Sequence, residues 1–292
     1  MWGEWVKESE VYNLLDIFYD SDFRAIDIAT NYPINGKKQS FKQALIWLNH
    51  WCQANQCKDL EIYLKIGSNS NQRTNEINLS SSFLAKEINE YLELFTSNLS
   101  TIGIHWDNRG SSSHENSMIL KTLETVYDFK KNYNLNIGFS GIKNPEIYKP
   151  MLSNFDTNPM FQVKENLLTS KSRKKYMDHF EAATYIAYGI NFGSSKRQLS
   201  EEDFLGFIKN HISGKMIFAE EAFDRLIDIK SISEFSILYA ELNPHLTGYI
   251  IAPSSAQQLK SSIKFIKALK DLNLSSIGKE RMYSNLHRLF DE

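Results

Sequence analysis

The stretch FRAIDIATNYP, Phe23–Pro33, opens as a buried strand and closes on residues that a strand does not require. Ile26, Ile28 and Ala29 suit a strand covered on both faces. Asp27 interrupts that apolar run, and Tyr32 follows five positions later, where the chain should turn. Burying an unpaired carboxylate is costly, because its hydration is lost without replacement. Asp27 therefore predicts a cation close by in space, supplied from further along the chain.

Outward from this stretch, short β-rich runs alternate with amphipathic ones. RAIDIA (24–29) precedes a helical pattern in SFKQALIWLNHWCQ (40–53), and EIYLKIG (61–67) precedes SSFLAKEINEYLELFTSNL (81–99). In the latter, Phe83, Leu84, Ile88, Tyr91, Leu92 and Phe95 recur at helical spacing. TIGIHW (101–106) leads through a Ser-rich loop, DNRGSSSHENS (107–117), to MILKTLETVYDFKKN (118–132). LNIGFSG (135–141) precedes NPEIYKPML, where Asn144 can cap a helix and Pro145 suits its first turn. MFQVKE (160–165), TYIAYGI (184–190) and LTGYIIA (246–252) each precede a helical segment, and LNLSSI (272–277) is a short final strand candidate.

Such alternation predicts parallel strands joined by crossover helices, and eight such units close into a (β/α)8 TIM barrel with the helices outside. An open doubly wound sheet uses fewer units. GKMIFAE (214–220) is a ninth candidate for eight places and is assigned to a helix or excursion. No Gly/Pro-rich linker or shift in composition divides the chain, so residues 1–292 are expected to form a single domain.

Composition narrows the function. A formal net charge of -2 exerts no long-range pull on nucleic acid or anionic membrane, so neither is expected as a partner. The basic run KSRKK, Lys171–Lys175, reads as a solvated helix face. Cys52 and Cys57 lack CxxC spacing and a second cluster, so no metal is expected and reduced thiols of a cytoplasmic protein are the reading. MWGEWVKESE is not a secretory signal, and no uninterrupted apolar run is long enough to span a bilayer. GINFGSSK (189–196) matches neither phosphate-binding glycine pattern.

In a parallel barrel, chemistry gathers at the C-terminal ends of the strands. The polar residues found there are Asp27 and Tyr32 after the first strand, Lys65 within the second, His105 ending the third, Ser140 ending the fourth, and Gln162 with Asn166 on the fifth. A lysine inside an apolar strand is seldom buried without a partner, so Lys65 is the cation that Asp27 demands. That pairing would set Tyr32 and His105 around one point.

The order Asp–x4–Tyr after FRAIDIA, lysine in the next strand and histidine in IHW resembles the aldo-keto reductase superfamily. IGFSGIKNPEIYKPML, FQVKENLL, AYGINFG and IIAPSSAQQLKSS extend the resemblance over nearly the whole chain. It implies reversible hydride transfer between NADPH or NADH and a carbonyl/alcohol pair, on a small-molecule substrate such as an aldehyde, a ketone or a sugar-like compound. Tyr32 is then the general acid, Lys65 lowers the pKa of its phenol, Asp27 holds Lys65, and His105, as a neutral donor, orients the substrate oxygen. By the same resemblance Ser140, Gln162 and Asn166 hold the nicotinamide carboxamide, Tyr188 stacks on its ring, and Ser254 and Gln258 contact the adenosine half.

The sequence departs from the family pattern in places. Ser140 is followed by Gly141 rather than Asn, Ser255 stands where a cation usually flanks Ser254, and Ser262 replaces an expected Asn. Lys260 is then the candidate cation for a 2′-phosphate. MWGEW is expected to stand for what remains of an N-terminal loop, while a brief tail, HRLFDE, leaves the mouth open with 107–117 on its rim. Two other readings stay open: a catalytically weak relative that binds the cofactor as a redox sensor or accessory subunit, and a lyase or isomerase that uses Tyr32 and Lys65 without net redox.

Overall fold

In the strands, apolar residues at alternate positions face the helices and leave the other face to small and polar residues. A computed structural model of the chain describes residues 2–72, 76–156, 158–191, 202, 203, 206 and 229–291. Two compact units emerge: Met1–Gln162, Lys175–Ala183 and Ala252–Leu259 form one, and Val163–Lys174, Thr184–Ile251 and Lys260–Glu292 the other.

The first unit begins with a helix, α1 (Glu8–Asp20), and alternates from there. Strands β1 (Ala25–Ala29), β2 (Glu61–Ile66), β3 (Leu99–His105), β4 (Asn136–Ser140) and β5 (Met160–Lys164) pair in chain order, each pair parallel. Helices α2 (Gln43–Ala54), α3 (Ser81–Phe95), α4 (Ser113–Tyr133) and α5 (Pro145–Leu152) connect them. Ile62, Leu64 and Ile66 of β2, Ile102 and Ile104 of β3, and Ile137 and Phe139 of β4 are almost wholly buried. Helix α3 packs on β3 and α4 on β4, with Leu84, Ile88, Tyr91, Ile119, Leu123 and Val126 all buried. Each such side chain contributes about 1.5–3 kcal/mol on leaving water.

Helix α6 (Lys171–Met177) follows β5. In the second unit β6 (Thr184–Tyr188) and β7 (Gly248–Tyr249) pair in parallel, with α7 (Ile232–Leu242) between them in sequence. Helices α8 (Ala256–Asp271) and α9 (Ser276–Asp291) close the chain. No helix of the described residues is long and apolar enough to cross a membrane.

Seven strands are formed among the described residues, so the full eight-strand ring expected from the sequence is not seen there. The last strand candidate, 272–277, instead runs into α9, because Ser275 accepts from the Gly278 amide at 3.1 Å and starts a helix. Met282, Tyr283 and Leu286 then bury one face of α9. LTGYIIA shrinks to the two residues of β7. The segment 214–220 lies outside the described residues, as does most of GINFGSSK.

Three local expectations change. Ser112 accepts from the Glu115 amide at 3.2 Å and caps α4, so the loop after His105 is short and residues 113–117 are helical. Asn144 does not cap α5 with its side chain; its Nδ2 donates to the Arg109 carbonyl at 2.9 Å. Arg173, within the basic run read as solvated, is buried and pairs with Glu165 at 3.1 Å.

Candidate active site

Strand register brings the sequence-predicted residues to one face. Ala29 pairs with Lys65, and Lys65 with Gly103; two residues further on, His105 pairs with Ser140, and Ser140 with Gln162. Side chains alternate along a strand, so Asp27, Lys65, His105, Ser140 and Gln162 share this face of the first unit.

Glycines make room on it. A Cβ on Gly138 would meet Tyr63 Oη at 1.9 Å, and one on Gly103 would meet Tyr63 Cε1 at 2.5 Å and Lys65 Cγ at 3.1 Å. The Tyr63 ring and the stem of Lys65 occupy the volume that two side chains would need. Among the described residues the Tyr63 hydroxyl, fully enclosed, has no hydrogen-bond partner.

Lys65 is 2 % exposed. Its ammonium donates to Asp27 Oδ1 at 2.6 Å, to Asp27 Oδ2, and to Gln162 Oε1 at 3.2 Å. Gln162 Nε2 donates in turn to Asp27 Oδ1 at 2.6 Å. The Lys65 nitrogen lies 5.3 Å from the centroid of the Tyr32 ring. Burial on its own would lower the Lys65 pKa, but the neighbouring Tyr32 and Asp27 outweigh it and raise the value, so the amine stays charged.

One expectation is corrected at Tyr32. Lys65 does pull its phenol down, but burial pushes it up more strongly and Asp27 adds to that, so the net shift is above the ordinary value of 10.0. A half-buried phenol that has lost much of its hydration resists ionisation even beside an ammonium. Tyr32 is therefore a protonated group, suited to donating a proton. Burial, followed by the charge of Lys65, holds His105 well below its ordinary 6.5, so it is neutral at pH 7.

Sequence reasoning missed what supports His105. Trp106 has φ of +58°, a left-handed conformation that costs a bulky residue roughly 1–2 kcal/mol. Its amide donates to the Ser140 carbonyl at 2.8 Å, and its ring lies 4.4 Å from that of His105. The ring rests where a Cβ on Gly141 would come within 2.7 Å. The next residue, Asp107, is wholly buried and takes two bonds from the Arg109 guanidinium, at 2.9 and 2.7 Å, one from the Arg109 amide at 3.0 Å, and one from the Tyr148 hydroxyl. The charged residues in HWDNRG, directly after a strand, were the available signal.

The cofactor candidates fall into different situations. Ser140 is 6 % exposed and sits beside His105 and Gln162 in register. Asn166 is committed to its own loop, donating to the Gly189 carbonyl at 2.9 Å and accepting from the Leu168 amide at 3.0 Å. Tyr188 presents a ring that is 38 % exposed. Ser254 and Gln258 engage each other: Gln258 Oε1 accepts from the Ser254 amide at 2.9 Å and from its hydroxyl at 3.0 Å. Ser255 accepts from the Gln258 amide at 3.3 Å in the first turn of α8. No group of His, Cys, Asp and Glu among the described residues could hold a metal ion.

No family model and no curated protein matches the sequence. Solved structures do match. A candidate 2,5-diketo-D-gluconic acid reductase B aligns over 97% of this chain and 84% of that one, with a TM-score of 0.65 and 11% identity. The holo form of aldo-keto reductase AKR11C1 from Bacillus halodurans aligns over 97% of this chain and 88% of that one, with a TM-score of 0.64 and 11% identity. At such identity the likeness is one of fold. The chain has the fold of aldo-keto reductase structures, the family its strand-end residues resemble.

Proposed function

We propose that this protein is an oxidoreductase of the aldo-keto reductase type, using NADPH or NADH to interconvert a carbonyl compound and an alcohol. The observation that carries the reading is the Lys65 ammonium, shared by Asp27 and set 5.3 Å from the Tyr32 ring. Fold alone does not imply function, so the weight rests on these side chains.

A carbonyl that accepts a hydride develops negative charge on oxygen and needs donors aimed at it. Tyr32 gives the proton. Lys65 stabilises the phenolate that remains, and Asp27 balances the charge of Lys65. Neutral His105 keeps one ring N–H as a hydrogen-bond donor and orients the substrate oxygen. In the reverse direction the same phenolate takes the proton back.

The donor set suits a nicotinamide in kind. A carboxamide both donates and accepts, and the Ser140 hydroxyl with the second N–H and lone pair of Gln162 can answer both needs. When bound, the dinucleotide supplies the hydride. For the adenosine half, Ser254 and Gln258 remain the candidates, although Gln258 Oε1 already accepts from Ser254. That engagement, with no Arg or Lys in 252–259, speaks for the alternative of a catalytically weak relative that binds the cofactor as a redox sensor or accessory subunit.

Isothermal titration with NADH and NADPH, followed by a spectrophotometric assay on a panel of aldehydes and ketones, tests the reading. Binding of at least one dinucleotide and its carbonyl-dependent oxidation are expected. Binding without oxidation would favour the weak relative, and failure to bind either would refute both.

A further inference from the structure

The valences around Lys65 point to a role for Gln162 beyond ligand binding. An ammonium has three N–H bonds. Three oxygens lie in short contact, Asp27 Oδ1 at 2.6 Å, Asp27 Oδ2, and Gln162 Oε1 at 3.2 Å, and the Tyr32 hydroxyl is a fourth partner of the same ammonium. Gln162 Nε2 closes the triangle onto Asp27 Oδ1 at 2.6 Å. The amide orientation is fixed by chemistry, since only its oxygen can accept from an ammonium and only its nitrogen can donate to a carboxylate. Gln162 is 3 % exposed, so bulk water does not compete for these bonds.

Four acceptors face three hydrogens, so the Tyr32 hydroxyl and Gln162 Oε1 contend for the one that Asp27 leaves. We propose that Gln162 is a positioning residue for the proton donor: its carbonyl competes with the Tyr32 hydroxyl for one hydrogen of Lys65 and so sets how readily Tyr32 releases its proton. The inference rests on the proposed role of Tyr32. It adds that a group bonding to the Gln162 amide redirects Lys65 toward the phenol. Ligand capture and acid strength are then coupled through one side chain.

The longest of the three contacts to Lys65 is the one to Gln162, which makes it the bond that yields. Asp27 offers a full charge at shorter range and keeps its hold on the amine. Losing the Gln162 oxygen therefore frees an N–H without freeing the ammonium from its site. A carboxylate in place of the amide does the opposite, holding that N–H more tightly and adding negative charge beside the phenol.

NMR of ring-labelled tyrosine, with the Tyr32 resonance assigned by its loss in Tyr32→Phe, reads this without substrate or cofactor. Gln162→Met should move the Tyr32 titration to lower pH, and Gln162→Glu should move it to higher pH. Circular dichroism checks that each variant folds. If Gln162→Met does not fold, Gln162→Leu takes its place: a downward shift supports the coupling and an unmoved titration overturns it. A purely structural Gln162 would lower stability and leave the titration of Tyr32 in place in Gln162→Met, which would also overturn it. Opposite shifts in a protein that oxidises neither dinucleotide would leave the coupling intact and refute the redox reading alone.

Discussion

Lys65 and Asp27 lie on neighbouring parallel strands and are joined by a bond of 2.6 Å from ammonium to carboxylate. Their side chains are 3% and 14% exposed, so most of the pair is out of water. Removing one partner strands the other. Lys65→Met is expected to cost about 3–5 kcal/mol in urea unfolding, whereas the apolar pair Asp27→Leu/Lys65→Met should recover most of that. Equal losses in the single and double variants would mean that the charges do not depend on each other.

Gly138 leaves no space for a methyl group, since its Cβ would fall 1.9 Å from Tyr63 Oη. Gly138→Ala should therefore destabilise by roughly 1–3 kcal/mol through overpacking. Tyr63→Leu in the same background should return part of the loss, a non-additivity expected of side chains that share one volume. Chemical denaturation of the two single variants and the double variant reads both effects.

His105 gives the site a pH dependence with a definite sign. Its folded pKa is held below the ordinary 6.5 by burial and by Lys65. As pH falls, the unfolded chain therefore takes up the proton first. The stability contributed by neutral His105 is complete above about 6.5 and is lost as pH falls through the depressed folded value. Urea midpoints from about pH 7.5 to pH 5 should fall more steeply for wild type than for His105→Asn, which has no such titration. Parallel curves would show that His105 charges freely in the folded protein.

Much of this was legible in the sequence because charge within an apolar run is physically expensive. Asp27 in RAIDIA and Lys65 in EIYLKIG each demanded a partner, and strand register supplied it. Helix α1 was equally readable from Val11, Leu14 and Leu15 at helical spacing, yet sequence reasoning passed over it. Other features depend on tertiary context. The net upward shift of Tyr32 comes from the desolvation of its half-buried phenol, which no spacing reveals. The Ser275 cap turned a strand candidate into a helix start because a single hydroxyl met the Gly278 amide. Gln162 showed its strand-end position in the sequence, but its bond to Asp27 spans 135 positions.

In the proposed reaction Tyr32 gives a proton to a carbonyl oxygen while Lys65 stabilises what remains. Carbonyl-dependent oxidation of NADH or NADPH by wild type and by Tyr32→Phe, with dinucleotide affinity measured for both, tests it most directly. Tyr32→Phe is expected to bind the dinucleotide as wild type does and to lose on the order of 100-fold or more in turnover. An unchanged rate in that variant would contradict it.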